Sequence, residues 1–182
     1  MPLSIVVKPF ELFDEQSNKF VKVNKPSKLL LECSLIAISK WESKWHKPYL
    51  VEGRKTYQES ISFVECMTLT NNVDPIIYRG LTKENMDEIQ KYIDDPMTAT
   101  VITPREPKRR DSSFITAEVI YYAMINHGIP FECQKWHIRR LLTLIDVCNE
   151  YRTPKEKRSQ ADILADMERM NNERKRKWGT RG

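Results

Sequence analysis

The period of the apolar pattern changes once, near residue 33, and this change restricts the fold more than any other feature of the chain. Before it, Leu3 to Val7, Phe10 to Phe13, Phe20 to Val23 and Lys28 to Glu32 form short strand-like runs. The polar stretch Asp14 to Lys19 separates the second run from the third, as the long loop of a hairpin would. After it, Leu35, Ile38, Trp41 and Trp45 recur at helical spacing. Strands gathered ahead of helices predict an α+β fold in three parts. These are a small N-terminal antiparallel β-sheet in residues 1–33, a predominantly α-helical domain in 34–150, and a basic C-terminal amphipathic helix in 151–182.

Local signals divide the helical part. Pro48 ends the first helix, and Thr56-x-x-Glu59 has the spacing of a capping box for a second, with Tyr57, Ile61 and Val64 on one face. Asp74-Pro75 opens a short helical turn before Gly80. Thr82 caps a helix carrying Met86, Ile89 and Ile93, and Asp94-Asp95-Pro96 stops it. Residues 97–114, with Pro104, Pro107 and Lys108-Arg109-Arg110, read as a connector and hinge holding a short strand at Ala99 to Ile102. A helix then runs from Thr116 to Gly128, and another is expected over Phe131 to Glu150 after Ile129-Pro130, making a helical hairpin. A last helix is expected from a Ser159 cap to about Trp178.

With 182 residues, the chain can bury a substantial core as one domain or one domain with an appendage. Its five glycines include no clustered loop able to cradle a phosphate. Cys33, Cys66, Cys133 and Cys148 are dispersed without a Cys-x-x-Cys pair, which argues against a zinc framework and for free thiols in a reducing cytosol. Met1 to Val7 lacks the basic flank and long apolar stretch of a signal peptide. The longest apolar run, Val119 to Ile125, is seven residues, against the roughly 20 of a membrane span. Residues 1–150 carry 20 Lys/Arg and 20 Asp/Glu, while residues 151–182 carry 10 and 5, so the whole net charge of +5 lies in the tail. Such a segment binds phosphates, anionic lipid or an acidic protein face, or keeps the protein soluble.

Catalytic and metal patterns are weak. Cys133 and His137 have the spacing of one helical face, but two ligands do not make a metal site, and no third group orients them as nucleophile and base. Asp94 and Asp95 would point about 100° apart on a helix, and the following proline explains them as a stop signal. No cofactor or enzymatic activity is expected.

Interaction surfaces are better marked. On a continuous helix from Phe131, the residues Ile138, Leu141, Leu142, Ile145 and Cys148 share a core face, and Trp136 lies about 180° from Ile145. Arg140, Thr143 and Val147 share the Trp136 side, a composition enriched at protein interfaces. The competing reading packs that side on the N-terminal sheet. In the tail, Ile163, Leu164, Met167, Met170 and Trp178 form an adaptable apolar stripe, which suits docking into a groove or folding back on the chain's own domain. The cations Lys108, Arg109, Arg110, Arg174, Lys175, Arg176 and Lys177 are candidate basic contacts. Residues 116–150 also invite a helix-turn-helix reading, but its recognition helix would begin Phe131-Glu132-Cys133-Gln134, with an acid and no base. Nucleic-acid binding would then be nonspecific and salt-sensitive.

The segments Ile38 to Trp45, Tyr92 to Thr100, Ile129 to Asn149 and Asn172 to Gly182 resemble those of the tail assembly chaperone-like proteins of long-tailed bacteriophages, and the likeness runs over most of the chain. The resemblance implies a non-catalytic protein of the host cytoplasm that binds the long helical tape measure protein while tail subunits polymerise. Other phage tail proteins and further copies of the chain are additional candidate partners. Such proteins are also made in a longer, frameshifted form. The rival expectation is a structural virion component, a neck, tail or baseplate subunit whose basic tail contacts neighbours or DNA.

Overall fold

A computed structural model describes residues 1–14, 18–51, 53–101, 115–152 and 160–178. The fold is α+β and divides into two compact units, Met1–Cys148 and Asn149–Gly182.

The first unit opens with strands β1 (Leu3–Val7), β2 (Phe10–Asp14), β3 (Lys19–Val23) and β4 (Ser27–Leu31). They form two antiparallel pairs rather than one sheet. β1 pairs with β4 from Leu3↔Leu31 to Val7↔Ser27, and β2 pairs with β3 from Phe10↔Val23 to Asp14↔Lys19. The two ladders are successive halves of one long hairpin, interrupted at Lys8-Pro9 and Asn24-Lys25-Pro26. Proline cannot donate to a ladder, and the unequal spacers shift the register across the break. In the β1–β4 half, Ile5, Val7, Leu29 and Leu31 are buried while Val6 and Leu30 are exposed, the two-residue alternation of a half-covered ribbon. The chain leaving the second helix covers the other edge of β4, where Leu69 N–H donates to the Leu30 carbonyl at 2.7 Å and Glu32 N–H to the Met67 carbonyl at 2.8 Å.

Helix α1 (Leu35–Trp45) starts where the Ser34 hydroxyl accepts from Ala37 N–H, and ends at His46 in the left-handed region. Its Leu35, Ile38 and Trp41 are almost wholly buried. Helix α2 (Tyr57–Met67) has the expected reciprocal cap: Thr56 Oγ1 accepts from Glu59 N–H at 3.2 Å, and Glu59 Oε2 accepts from Thr56 N–H at 2.7 Å. Ile61 and Val64 are buried as expected, but Tyr57 is exposed. Side chains lean toward a helix N-terminus, so at the first helical position its ring projects past the packed turns. The turn α3 (Ile76–Arg79) and helix α4 (Lys83–Asp94) follow, α4 capped by Thr82 and Asn85. A Cβ on Gly80 would overlap the Phe10 ring, which ties the β2–β3 half of the hairpin to this corner. Residues 99–101 are irregular rather than a strand, and the rest of the predicted hinge, 102–114, lies outside the described residues.

Helix α5 (Ala117–His127) closes at Gly128, whose φ of 67° is accessible without the strain a Cβ would bring. Its start is secured from a distance. Thr116 makes no side-chain cap bond; instead the buried Glu42 of α1 accepts from Ala117 N–H at 2.7 Å, while its other oxygen accepts from Tyr49 N–H at 2.7 Å. One carboxylate thereby fixes the α1–α2 loop and the position of α5.

The expected long helix over Phe131 to Glu150 is broken. Phe131–Lys135 is a 3-10 turn, Trp136 is extended with ψ 158°, and helix α6 spans Ile138–Arg152. A continuing helix would use the Ile138 N–H for the Gln134 carbonyl. Here it donates to the Cys33 carbonyl at 2.7 Å, and His137 bridges to Ser34. Tertiary bonds therefore capture the donors that would have continued the helix, and the predicted angle between Trp136 and Ile145 loses its basis.

The second unit contains the 19-residue helix α7 (Gln160–Trp178). The predicted Ser159 cap lies outside the described residues.

Candidate protein-binding site

The most conspicuous apolar surface is the outward side of α5. Ala117, Ile120 and Met124 point inward and are buried. At 100° per residue, Val119, Tyr122 and Ile125 occupy an arc of about 120° on another side of the helix. Tyr122 is 69% and Ile125 64% exposed, and Val119 is exposed as well. Ile115 and Phe131, also exposed, lie just beyond the two ends of α5, and Tyr121 connects α5 to the 3-10 turn. Its ring centre is 6.3 Å from that of Phe131, and its hydroxyl donates to Gln134 Oε1 at 2.9 Å. Glu118 is the one carboxylate in the helix. Exposed Glu118 and Asn126 fall within the same arc, so Val119, Tyr122 and Ile125 form an apolar surface interrupted by two polar residues, a mixture found at protein contacts.

Helical spacing over Thr116 to Gly128 groups Val119, Ile120, Ala123 and Met124, of which Ile120 and Met124 are buried, Ala123 is half-buried and Val119 is exposed. The available signal for the exposed side was the run Val119 to Ile125. Seven consecutive apolar residues cover nearly two helical turns, so they must place apolar groups on both sides.

Trp136 and Arg140, the sequence-derived pair, do meet, though not along a helix face. Trp136 is half-buried against the core in the extended link, and the Arg140 guanidinium lies 4.2 Å from its ring centre. Such a stack contributes about 0.5–1 kcal/mol at a partly exposed site. Arg140 is exposed and Val147 half-buried on α6. Trp136 is thus partly a packing residue, between the two readings its sequence context allowed.

On α7, Leu164, Met167, Met170 and Trp178 are exposed, Trp178 to 75%. Arg174, Lys175 and Arg176 are exposed too. The side chains of Ile163 and Lys177, and all of Lys108, Arg109 and Arg110, lie outside the described residues.

Cys133 and His137 are separated by the helix break, so they share no helical face. His137 is buried, with Nε2 3.0 Å from the Tyr92 carbonyl and Nδ1 accepting from Arg139 N–H at 3.3 Å. Both ring nitrogens are thus engaged, which leaves neither for a metal. Burial holds its pKa below the ordinary imidazole value, partly offset by the Tyr92 carbonyl. Cys33 beside it is pushed up to about 12 by burial, a neutral packing thiol rather than a nucleophile. Among the described residues no group of three His, Cys, Asp or Glu side chains is arranged to hold a metal.

An open cleft of about 500 Å³ lies among the 49–55 loop, α2, α4 and α6. Apolar Phe63, Val64, Met86 and Ile89 line it together with Arg54, Lys55 and Arg139. Arg139 is paired with Asp94 at 3.5 Å, and Lys55 lies 4.4 Å from the Tyr49 ring centre. The cleft contributes mixed charge and little enclosure. Among the described residues no helix is long and apolar enough to cross a membrane.

No protein-family model, curated protein or solved structure matches this chain.

Proposed function

We propose that this protein is a non-enzymatic escort that binds an amphipathic helix of another protein and keeps its apolar face from aggregating. The observation that carries this reading is the exposed Val119, Tyr122 and Ile125 side of α5, on a helix whose opposite side is anchored in the core. An amphipathic helix is a fitting occupant, because its apolar stripe can lie along a second helix as in helix-on-helix recognition. The Trp136 and Arg140 stack and the Leu164, Met167, Met170 and Trp178 stripe supply further surface of the same character. Combined with the resemblance to phage tail assembly chaperones, the reading identifies the client as the tape measure protein and the site of action as the host cytoplasm.

Co-expression with a tape measure protein tests this. The full chain should raise the soluble fraction of the client, and the double variant Y122S/I125S should not. Equal insolubility with and without the chain would remove the proposal's main support.

A second reading, a resident neck, tail or baseplate subunit, is favoured by the exposed cations Arg174, Lys175 and Arg176 of α7, which suit a neighbouring acidic subunit or DNA. Mass spectrometry of purified virions separates the two. An escort is absent from the particle and a resident subunit is present in stoichiometric amount.

A further inference from the structure

The charged groups of the cleft formed by the 49–55 loop, α2, α4 and α6 are not equally engaged. On α4 and α6, Asp94 is already satisfied: Gln90 Nε2 donates to its Oδ2 at 2.8 Å, and Arg139 pairs with its Oδ1 at 3.5 Å. On the loop, Arg54 and Lys55 have no carboxylate within ion-pair distance among the described residues. Lys55 feels the charge of Glu59, but both oxygens of that carboxylate are taken, Oε1 by Lys47 at 2.6 Å and Oε2 by Thr56 N–H at 2.7 Å. Burial therefore lowers the Lys55 pKa, and Glu59 offsets this only in part. The Tyr49 ring, 4.4 Å away, attracts the ammonium without neutralising it. A half-buried cation in this state favours an incoming anion.

The loop that carries the two cations is held in place. Tyr49 N–H donates to Glu42, its ring centre lies 3.8 Å from that of Phe63, and the reciprocal Thr56 and Glu59 cap fixes the other end. Phe63, Val64, Met86, Ile89 and Ile93 line the same cleft, with Met86 and Ile93 half-buried. A bare phosphate has no apolar body for this lining, and an uncharged apolar group would leave the cations unpaired. A carboxylate with apolar neighbours satisfies both. The volume of about 500 Å³ is ample for a ligand, but the cleft is open, so a small apolar acid would leave much of itself in water where a polypeptide can pass across. We infer that the cleft binds a segment of another polypeptide in which an acidic side chain is flanked by apolar ones, its carboxylate meeting Arg54 and Lys55 and its apolar groups resting on Met86 and Ile93. The inference stands apart from the escort reading, since it uses no residue of α5.

Titration of isotope-labelled full-length protein, followed by NMR amide shifts, tests it. The probe is a short peptide, blocked at both ends, with one central glutamate among leucines and alanines; its control has glutamine in that place. The glutamate peptide should shift the amides of Arg54, Lys55, Met86 and Ile93 saturably, and at low salt should bind at least about fivefold more tightly than the control. R54Q/K55Q should abolish that preference while keeping a folded spectrum, and Met86→Ser should weaken both peptides alike. Equal binding of the two peptides to the wild type, an unchanged preference in R54Q/K55Q, or shifts confined to other surfaces would overturn the inference. So would decanoate occupying the cleft more tightly than the glutamate peptide, which would make the site one for a free apolar acid.

Discussion

Helices α4 and α5 are nearly equal in length, 12 and 11 residues, and belong to the same unit, yet they treat water differently. Both anchor one side in the core, α4 by Ile89 and Tyr92, α5 by Ala117, Ile120 and Met124. The exposed side of α4 is Lys83, Glu84, Asp87, Glu88 and Lys91, an ordinary solvated surface. The exposed side of α5 carries Val119, Tyr122 and Ile125 beside Glu118 and Asn126. A helix needs one apolar side to join a core, so the first pattern is what folding requires, and the second side of α5 is in excess of it. That excess is the observation on which the proposed partner rests.

The comparison can be broken most forcefully from inside. Met124→Ala should cost about 2–5 kcal/mol in denaturant unfolding, as for other large-to-small core changes. Glu42→Ala removes the acceptor of two backbone donors, Ala117 N–H and Tyr49 N–H, and should cost about 2–4 kcal/mol. It should loosen α5 selectively, visible as faster amide exchange in residues 117–127 than in α4. Equal protection of both helices would show that the carboxylate does not position α5. Trp136→Ala, at a half-buried packing position, should cost about 1–3 kcal/mol, more than an interface residue and less than a core one.

Acid should act by two separate groups. Burial depresses His137, so between the ordinary imidazole value of about 6.5 and its lower native value the unfolded chain binds a proton that the folded chain does not. Stability should therefore decline as pH falls through that window and level off below it. Glu59 is held down to about 2, first by the hydrogen bond from Lys47 at 2.6 Å and then by Thr56 N–H, so a second loss should follow as pH drops from the usual 4.5 toward 2. Melting temperatures measured against pH, with His137→Asn as the control for the first step, check both. The smallest effect belongs to the outer side of α5, where Tyr122→Ser should alter stability by no more than about 0.5 kcal/mol. A loss as large as that of Met124→Ala would place Tyr122 in a core and remove the contrast with α4.

Sequence patterns exposed those parts of the fold that are decided locally. The Thr56 and Thr82 caps, the Asp94-Asp95-Pro96 stop and the left-handed Gly128 each depend on a few adjacent residues. The break at Trp136 and His137 was not legible, because residues 131–150 keep a helical period and contain no proline or glycine after Pro130. It is created by the Cys33 carbonyl and the Tyr92 carbonyl, 105 and 45 residues away in sequence from the groups they bind. The role of Glu42 was hidden for the same reason, since its partner Ala117 is 75 residues distant. Proline positions were visible, yet that Lys8-Pro9 and Asn24-Lys25-Pro26 would fall in the same break of a single hairpin and divide it into two ladders depended on register. For the candidate site, the apolar stripe of α7 was read directly. The α5 surface was present in the sequence only as an unexplained excess of apolar residues.

Calorimetric titration of a tape measure helix into the full chain tests the central claim most directly. The account predicts saturable binding with a negative heat-capacity change, the mark of apolar burial, and its loss in Y122S/I125S with the fold intact. Binding of equal strength and heat capacity in that variant would contradict the assignment of the α5 surface to a client.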